Sequence, residues 1–230
     1  MTWKIIYLDR TPSTMIDAAL HPPGTVVVAE EQTAGQGRLG RQWYSARGLG
    51  LYCSLVLAPP SQTDSPPVLT LALGLAAQEA IQRYAGISCD LRWPNDVLIG
   101  DRKCAGILVQ LEGGKVIAGI GVNLNHRRFP PELAAVATSL RLATGREHSR
   151  EDLLRHLLPA VDTYIKLVAE EGPDPILRLF SQASSYVYGR RVVAGALEGV
   201  TDGLDASGFL WLRTGRGRRR LIRAGNLRPA

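Results

Sequence analysis

Apolar positions in this chain cluster in strand-length runs bounded by glycine, proline and polar residues, and the longer helical periods lie mostly outside that region. Residues 3–8 predict an opening strand, and Ser13 or Thr14, either of which can cap, opens a short helix to residue 20. Pro22, Pro23 and Gly24 turn the chain into a buried strand at 25–29, and a glycine-rich loop joins that strand to another at 49–57. The next helix is well marked. Ser65 caps it, Pro66 fits its first turn, Leu69, Leu73 and Ala76 recur on one side, and Gly86 ends it.

Residues 89–125 predict a meander of three strands, with turns at Gly100–Asp101 and Gly113–Gly114. Ser149 and Asp152 resemble a capping box for a helix to residue 169 that Pro159 should kink, and Asp174 with Pro175 opens another helix. These helices follow the strands rather than alternate with them, so the expected class is α+β, with a mixed, mostly antiparallel sheet and flanking helices. After residue 188, short β runs at 191–194, 209–213 and 219–222 alternate with glycine turns, as in a small barrel. The expected division is therefore 1–187 and 188–230.

Composition narrows the class. With 230 residues, 45% of them hydrophobic, the chain can bury one good core plus a small appendage. No apolar run approaches the roughly 20 residues that span a bilayer, and residues 1–4 lack the basic start of a signal peptide, so a cytoplasmic protein without membrane partners is expected. Cys53, Cys89 and Cys104 have no metal-ligand spacing and read as buried thiols in a reducing compartment. The net charge of +6 suits nucleic acid, an acidic protein or a phosphate-bearing ligand equally. Part of it is local: Arg213, Arg216, Arg218, Arg219, Arg220 and Arg223 cluster around Gly215 and Gly217, most simply as a solvated hairpin tip.

The most informative chemistry lies in GQGRLGRQW, residues 35–43. Its glycine spacing matches a dinucleotide loop, but that fingerprint needs a helix opening on the glycines and an acidic residue about 20 positions later. Neither is present, which excludes a Rossmann dehydrogenase. What remains is a strand-to-strand loop whose backbone N–H groups and two arginines, Arg38 and Arg41, suit phosphate or carboxylate. Gln32, just before it, carries an amide able to donate and accept toward a urea-like ligand. In RWPND, residues 92–96, Pro94 fixes a turn that directs Trp93, Asn95 and Asp96. Lys103 opens a strand containing Gly106, and alternation in the next strand puts Gly119, Gly121 and Asn123 on one face as a flat floor with Asn123 at its edge.

Together these segments resemble the catalytic region of the biotin protein ligases: QTAGQGRLGRQW is similar to that family's glycine and arginine loop, RWPNDVLI to its Trp-Pro-Asn-Asp segment, and KCAGILVQ with GIGVNLN to its lysine strand and neighbour. The similarity extends over nearly the whole chain. It implies a class II synthetase or biotin–lipoate ligase-like fold with an SH3-like C-terminal barrel, and a two-step reaction in which biotin and MgATP give biotinyl-adenylate, from which a carrier-protein lysine takes the biotin. The resemblance further implies that Ser13, Thr14, Met15, Gln32, Gly35, Gln36, Gly37, Arg38, Lys103 and Gly106 bind biotin. Arg38, Arg41, Trp43, Asn95, Asp96, Lys103, Gly121 and Asn123 would hold ATP and the adenylate, with Lys103 and Arg38 catalytic and Asp96 on the magnesium side.

Three positions depart from the family pattern: Gln36 stands where arginine is usual, Arg92 where lysine is usual, and Gln110 where glutamate is common. Strand 3–8 leaves no room for the helix-turn-helix domain of some members, so operator DNA binding is not expected, and the basic charge is better matched to an acidic biotin carboxyl carrier domain. Homodimers are common in the family. The nearest rival reading is a lipoate ligase, against which Ser13, Thr14 and Gln32 argue because the lipoate ring offers them no partners. A rival of another class is a nonenzymatic nucleic-acid binder using the arginine-rich tail.

Overall fold

The computed structural model describes residues 2–60, 65–225 and 227–230. The larger sheet has seven strands: β1 (Lys4–Leu8), β2 (Thr25–Ala29), β3 (Gly50–Leu57), β4 (Asp90–Arg92), β5 (Asp96–Ile99), β6 (Arg102–Glu112) and β7 (Lys115–Asn123). Their spatial order is β1-β2-β3-β7-β6-β5-β4. Among its described ladders β1 and β2 pair in parallel and the others are antiparallel. Among the described residues six α-helices accompany it: α1 (Thr14–Ala19), α2 (Pro66–Ala85), α3 (Pro131–Ala134), α4 (Leu140–Thr144), α5 (Arg150–Glu171) and α6 (Asp174–Ala183).

The strand pattern explains which face is which. Leu51, Cys53, Leu55 and Leu57 of β3, Val116, Ala118, Ile120 and Val122 of β7, and Ala105 and Ile107 of β6 join one apolar core with α2, α5 and α6. Because strand side chains alternate, the intervening positions point to the other face, where α1 covers one corner through Met15, Ala18, Val27, Val56 and Ile117. The rest of that face is left for a site. Helix α2 starts after Ser65 with prolines in its first turn and ends at Gly86, whose φ of 70° is the left-handed conformation that stops a helix. Ser149 caps α5 by accepting from the Asp152 N–H, and the helix continues through Pro159 to Glu171.

Two expectations are corrected. The meander contains four strands, not three, because Trp93, Pro94 and Asn95 form a turn that separates β4 from β5. Pro94 has no N–H to give a ladder, so the chain reverses there. The C-terminal barrel is instead an antiparallel sheet of β8 (Tyr188–Ala194), β9 (Leu197–Leu204), β10 (Leu210–Thr214), β11 (Arg219–Ile222) and β12 (Leu227–Pro229), ordered β11-β10-β9-β8-β12. Among the described residues no ladder joins β11 to β12, so it does not close. Strands β9 and β12 went unforeseen, the first because Gly199, Asp202 and Gly203 interrupt its apolar rhythm, the second because it is only three residues long. Among the described residues no helix is long and apolar enough to cross a membrane. The three cysteines are free and buried, and burial pushes the Cys53 thiol up to about 12, which leaves it unreactive.

Candidate functional site

The site lies on the sheet face that the long helices do not cover. Tyr52 and Ser54 of β3, Gly106 of β6, and Gly119 and Gly121 of β7 line a small cavity of about 50 Å³ there. The glycines are required by what lies over them: a Cβ on Gly121 would sit 2.5 Å from the Trp43 indole, and one on Gly119 would sit 2.7 Å from the Met15 sulfur. Trp43 and Met15 thus rest directly on the backbone floor.

One end of the cavity is a polar cluster made by strands and α1 together. Ser13 caps α1, accepting from the Met15 N–H at 3.3 Å. Thr14 donates its backbone N–H to Gln32 Oε1 at 2.8 Å and shares a 2.7 Å hydrogen bond with the Ser54 hydroxyl. The Gln32 amide donates to Ser45 Oγ at 2.8 Å. Gln32 therefore does not stand free on the surface: it braces Thr14 against the strand behind it, and Ser54 presents a hydroxyl at the same spot.

The glycine loop folds on itself. Gly37 N–H donates to the Arg41 carbonyl at 2.7 Å and Trp43 N–H to the Gly35 carbonyl at 2.8 Å, so some of the N–H groups expected to face a ligand are already used. Between them Arg38–Gly40 form a single 3-10 turn, in which Leu39 has φ 58° and is 64% exposed. Such a conformation costs a non-glycine residue about 1 kcal/mol, and here it falls at the tip of the loop that carries the cation. Arg38 reaches back to the sheet and donates to Asn95 Oδ1 at 3.2 Å. Asn95 in turn donates to the Ile107 carbonyl and accepts the Ile107 N–H on its own carbonyl, each at 3.0 Å. Burial lowers the Arg38 guanidinium pKa, an effect that Asp96 partly offsets, and the group remains a cation.

Lys103 is the second cation. Its ammonium lies 2.5 Å from Asp96 Oδ1 and 5.1 Å from the centre of the Trp43 ring. Its backbone is pinned as well, accepting from the Thr138 N–H at 2.9 Å and donating to the Val136 carbonyl at 2.8 Å. The other Asp96 oxygen takes Arg92 at 2.8 Å. Burial alone would raise the Asp96 pKa, but Lys103 and Arg92 outweigh it and hold the carboxyl below its ordinary value.

The expected magnesium role of Asp96 does not fit this arrangement. Both carboxylate oxygens are held by cations, and no cluster of three or more His, Cys, Asp or Glu exists among the described residues.

A larger cleft of about 500 Å³ opens beside the first and shares Gly37, Arg38, Trp43, Asn95 and Lys103 with it. Arg41, Arg92, Asp96, Asp101, Asn123, Phe129, residues 135–137 and Arg228 of β12 are among the residues that line the rest. Behind its wall His126 is fully buried, stacked on Phe129 at 4.8 Å and tilted against Tyr44 at 5.6 Å. Burial pushes this imidazole down to about 4, so it is neutral at physiological pH. Asn123 donates to the Thr138 carbonyl at 3.0 Å, tying the floor to the segment that holds Lys103.

Nearly all the residues singled out in the sequence come together here. Ser13, Thr14, Met15, Gln32, Gln36, Gly37, Arg38, Lys103 and Gly106 line the small cavity; Gly35 does not, packing instead against Ser45 and the Trp43 carbonyl. Arg38, Arg41, Trp43, Asn95, Asp96, Lys103 and Asn123 line the larger cleft, whereas Gly121 belongs to the smaller one. Sequence reasoning missed Ser45, Ser54, Phe129 and Arg228. Only Ser54 left a signal, as a lone hydroxyl within the buried apolar run GLYCSLVL.

Fold and site define a class of ligase, and the comparisons agree. Residues 7–126 match the biotin/lipoate A/B protein ligase family, and the chain belongs to that family. Within it, the chain is 37% identical to the bifunctional ligase/repressor BirA of Bacillus spizizenii, over 97% of this chain and 74% of that protein. It is 33% identical to the biotin–[acetyl-CoA-carboxylase] ligase of Paracoccus denitrificans, over 92% of this chain and 95% of that one. A biotin protein ligase from Aquifex aeolicus, solved in complex with biotin and ATP, superposes with a TM-score of 0.89 at 32% identity and 99% coverage of both chains.

Proposed function

We propose that this protein is a biotin ligase: it joins biotin to AMP and passes the biotinyl group to a lysine of a biotin carboxyl carrier protein. The observation that carries this reading is the junction of the two cavities. Lys103 and Arg38 line both, at the one place where a carboxylate in the small cavity would meet the α-phosphate of a nucleotide in the larger cleft.

In the first step a biotin carboxylate oxygen attacks the α-phosphorus of ATP and pyrophosphate leaves. Two anions must approach, and charge concentrates between them. Lys103 and Arg38 supply fixed positive charge at that point without transferring a proton, and neither has to reorganise, because Asp96 and Asn95 already hold them. Arg41, Arg92 and Arg228 add positive charge along the cleft that receives the polyphosphate. The product is a mixed anhydride, which water would destroy. The Gly35–Trp43 region and the Trp43 ring cover the junction where it forms. In the second step the carrier lysine, as its free amine, attacks the acyl carbon and AMP leaves.

The polar set Ser13, Thr14, Gln32 and Ser54 favours biotin over lipoate, because a ureido ring has donors and an acceptor to match it and a dithiolane has neither. The free, buried thiols support a reducing compartment such as the cytoplasm. The net positive charge favours an acidic carrier domain. The test is mass spectrometry of a carrier domain incubated with the protein, ATP and either biotin or lipoate. Transfer of biotin alone is expected; transfer of lipoate in its place would overturn the reading.

A further inference from the structure

Trp93, like Pro94 beside it in RWPND, lines neither cavity; it is 2% exposed and spends its side-chain N–H outside the larger sheet. Its indole N–H donates to the Gly208 carbonyl at 2.9 Å, joining residues 115 apart in sequence. Gly208 sits in the turn between β9 and β10. That turn is fixed by Asp205, whose side chain accepts from the Ser207 and Phe209 N–H groups at 2.9 and 2.8 Å, while its carbonyl accepts from Gly208 at 3.0 Å. Gly208 has φ 82°, and a Cβ there would press on Leu71 of α2 at 3.2 Å. The carbonyl is thus presented by a braced turn that only glycine can complete in this position.

The consequence runs along four residues of chain. Immediately after Trp93 and Pro94 come Asn95, which holds Arg38, and Asp96, which holds Lys103. The same β4–β5 hairpin is gripped further from residues 184 and 185: Ser184 Oγ donates to the Leu91 carbonyl at 2.5 Å, and Ser185 donates its N–H and its hydroxyl to the Asp90 carboxylate at 2.9 and 2.5 Å. Among the described residues the polar cluster around Ser13, Thr14 and Gln32 has no comparable link to this hairpin; its bonds run to Thr11, β3 and residues 43–45.

We propose that Trp93 is a positioning residue for the nucleotide half of the site: through its bond to Gly208, the five-stranded sheet sets the turn that places Asn95 and Asp96, and through them Arg38 and Lys103. This rests on the reading given under Proposed function. A residue that acts this way changes ATP use far more than biotin binding, because the ureido partners Ser13, Thr14 and Gln32 are held by other bonds; a merely stabilising tryptophan would lower both together.

The experiment uses the full-length protein and two substitutions. Trp93→Phe keeps a buried aromatic ring but removes the N–H together with the pyrrole half of the indole, so its Tm is measured beside its kinetics; Asp205→Ala loosens the turn that presents the carbonyl, on a half-buried residue that lines neither cavity. Adenylate formation is followed by pyrophosphate release, and biotin binding by calorimetry without ATP. The expected result is a loss of about 10-fold in kcat/KM for ATP in each variant, with the biotin Kd within twofold, which is about 1.4 kcal/mol on one substrate only. The double variant should be no worse than the poorer single one, because both remove the same link. Unchanged ATP parameters in Trp93→Phe would overturn the proposal. So would parallel losses for biotin and ATP with a lowered Tm, or additive losses in the double variant. Wild-type protein that makes adenylate upholds the ligase reading whatever the variants do; wild-type protein that makes none refutes that reading and this proposal together.

Discussion

Lys103 and Asp96 stand 2.5 Å apart at the junction of the two cavities, and Asp96 is shared with Arg92 on its other oxygen. The carboxylate is a bracket for cations. Asp96→Asn should lower adenylate formation by about 100-fold, because an amide would offer only one acceptor oxygen to two cations. It should also cost about 2 kcal/mol of stability by leaving two part-buried cations poorly matched. Because the Asp96 pKa is depressed in the folded state, its contribution is present above the ordinary value of 3.8 and is lost as pH falls through the lower folded value. In thermal melts from pH 7 to pH 3 the gap between wild type and variant should therefore hold above 3.8 and narrow below it. A constant gap across that range would show that Asp96 is not ionised in the way described.

Removing the cation itself separates chemistry from folding. Lys103→Ala deletes a side chain that is 26% exposed, so the fold should persist while adenylate formation falls by about 1000-fold. Stopped-time assays of pyrophosphate release, together with a circular dichroism spectrum, are sufficient. Near-normal release from a folded variant would remove Lys103 from the catalytic role.

Ser54 carries a prediction on the opposite side of the site. Its hydroxyl shares the Thr14 hydrogen bond at 2.7 Å within a fully buried strand. Ser54→Ala should raise the biotin Kd by about fivefold, the equivalent of roughly 1 kcal/mol, and leave the KM for ATP unchanged. Calorimetry with biotin decides it.

The floor can be tested by adding one carbon. Gly121→Ala puts a methyl group where the Trp43 indole now lies, and Trp43 must move, because the three nearest atoms all belong to its ring. Trp43 also covers Lys103. The expected outcome is a several-fold rise in KM for ATP and a shift in intrinsic tryptophan fluorescence, and the absence of both would mean that the ring is not seated on the floor in solution.

The sequence disclosed this site unevenly, for physical reasons. Residues that act through local pattern were visible: the glycines of β7 from strand alternation, Ser13 as a cap, Pro94 as a turn former. Ser65, Gly86 and Ser149 placed the ends of α2 and α5 because capping is local chemistry. Helices α3 and α4, of four and five residues, are too short to show a period. Arg228 and Phe129 reach the cleft only through the path of the whole chain, and nothing adjacent to them marks it. The pairing of Asp96 with Lys103 was equally hidden, since it depends on a register shift between β5 and β6 just after Val97. That is why Asp96 read as a metal ligand and proved to hold cations of the protein itself.

The division of β3, β6 and β7 into one face locked against α2 and α5 and one face open to the site has an evolutionary corollary. A point change alters one wall of the cavities and leaves the others where they are. Loss or gain of one residue within β7 would instead turn Ala118 and Ile120 toward the cavity and drive Gly119 and Gly121 into the apolar core. Homologues with altered substrate preference should therefore differ in these three strands by replacement, with insertions and deletions confined to the loops between them.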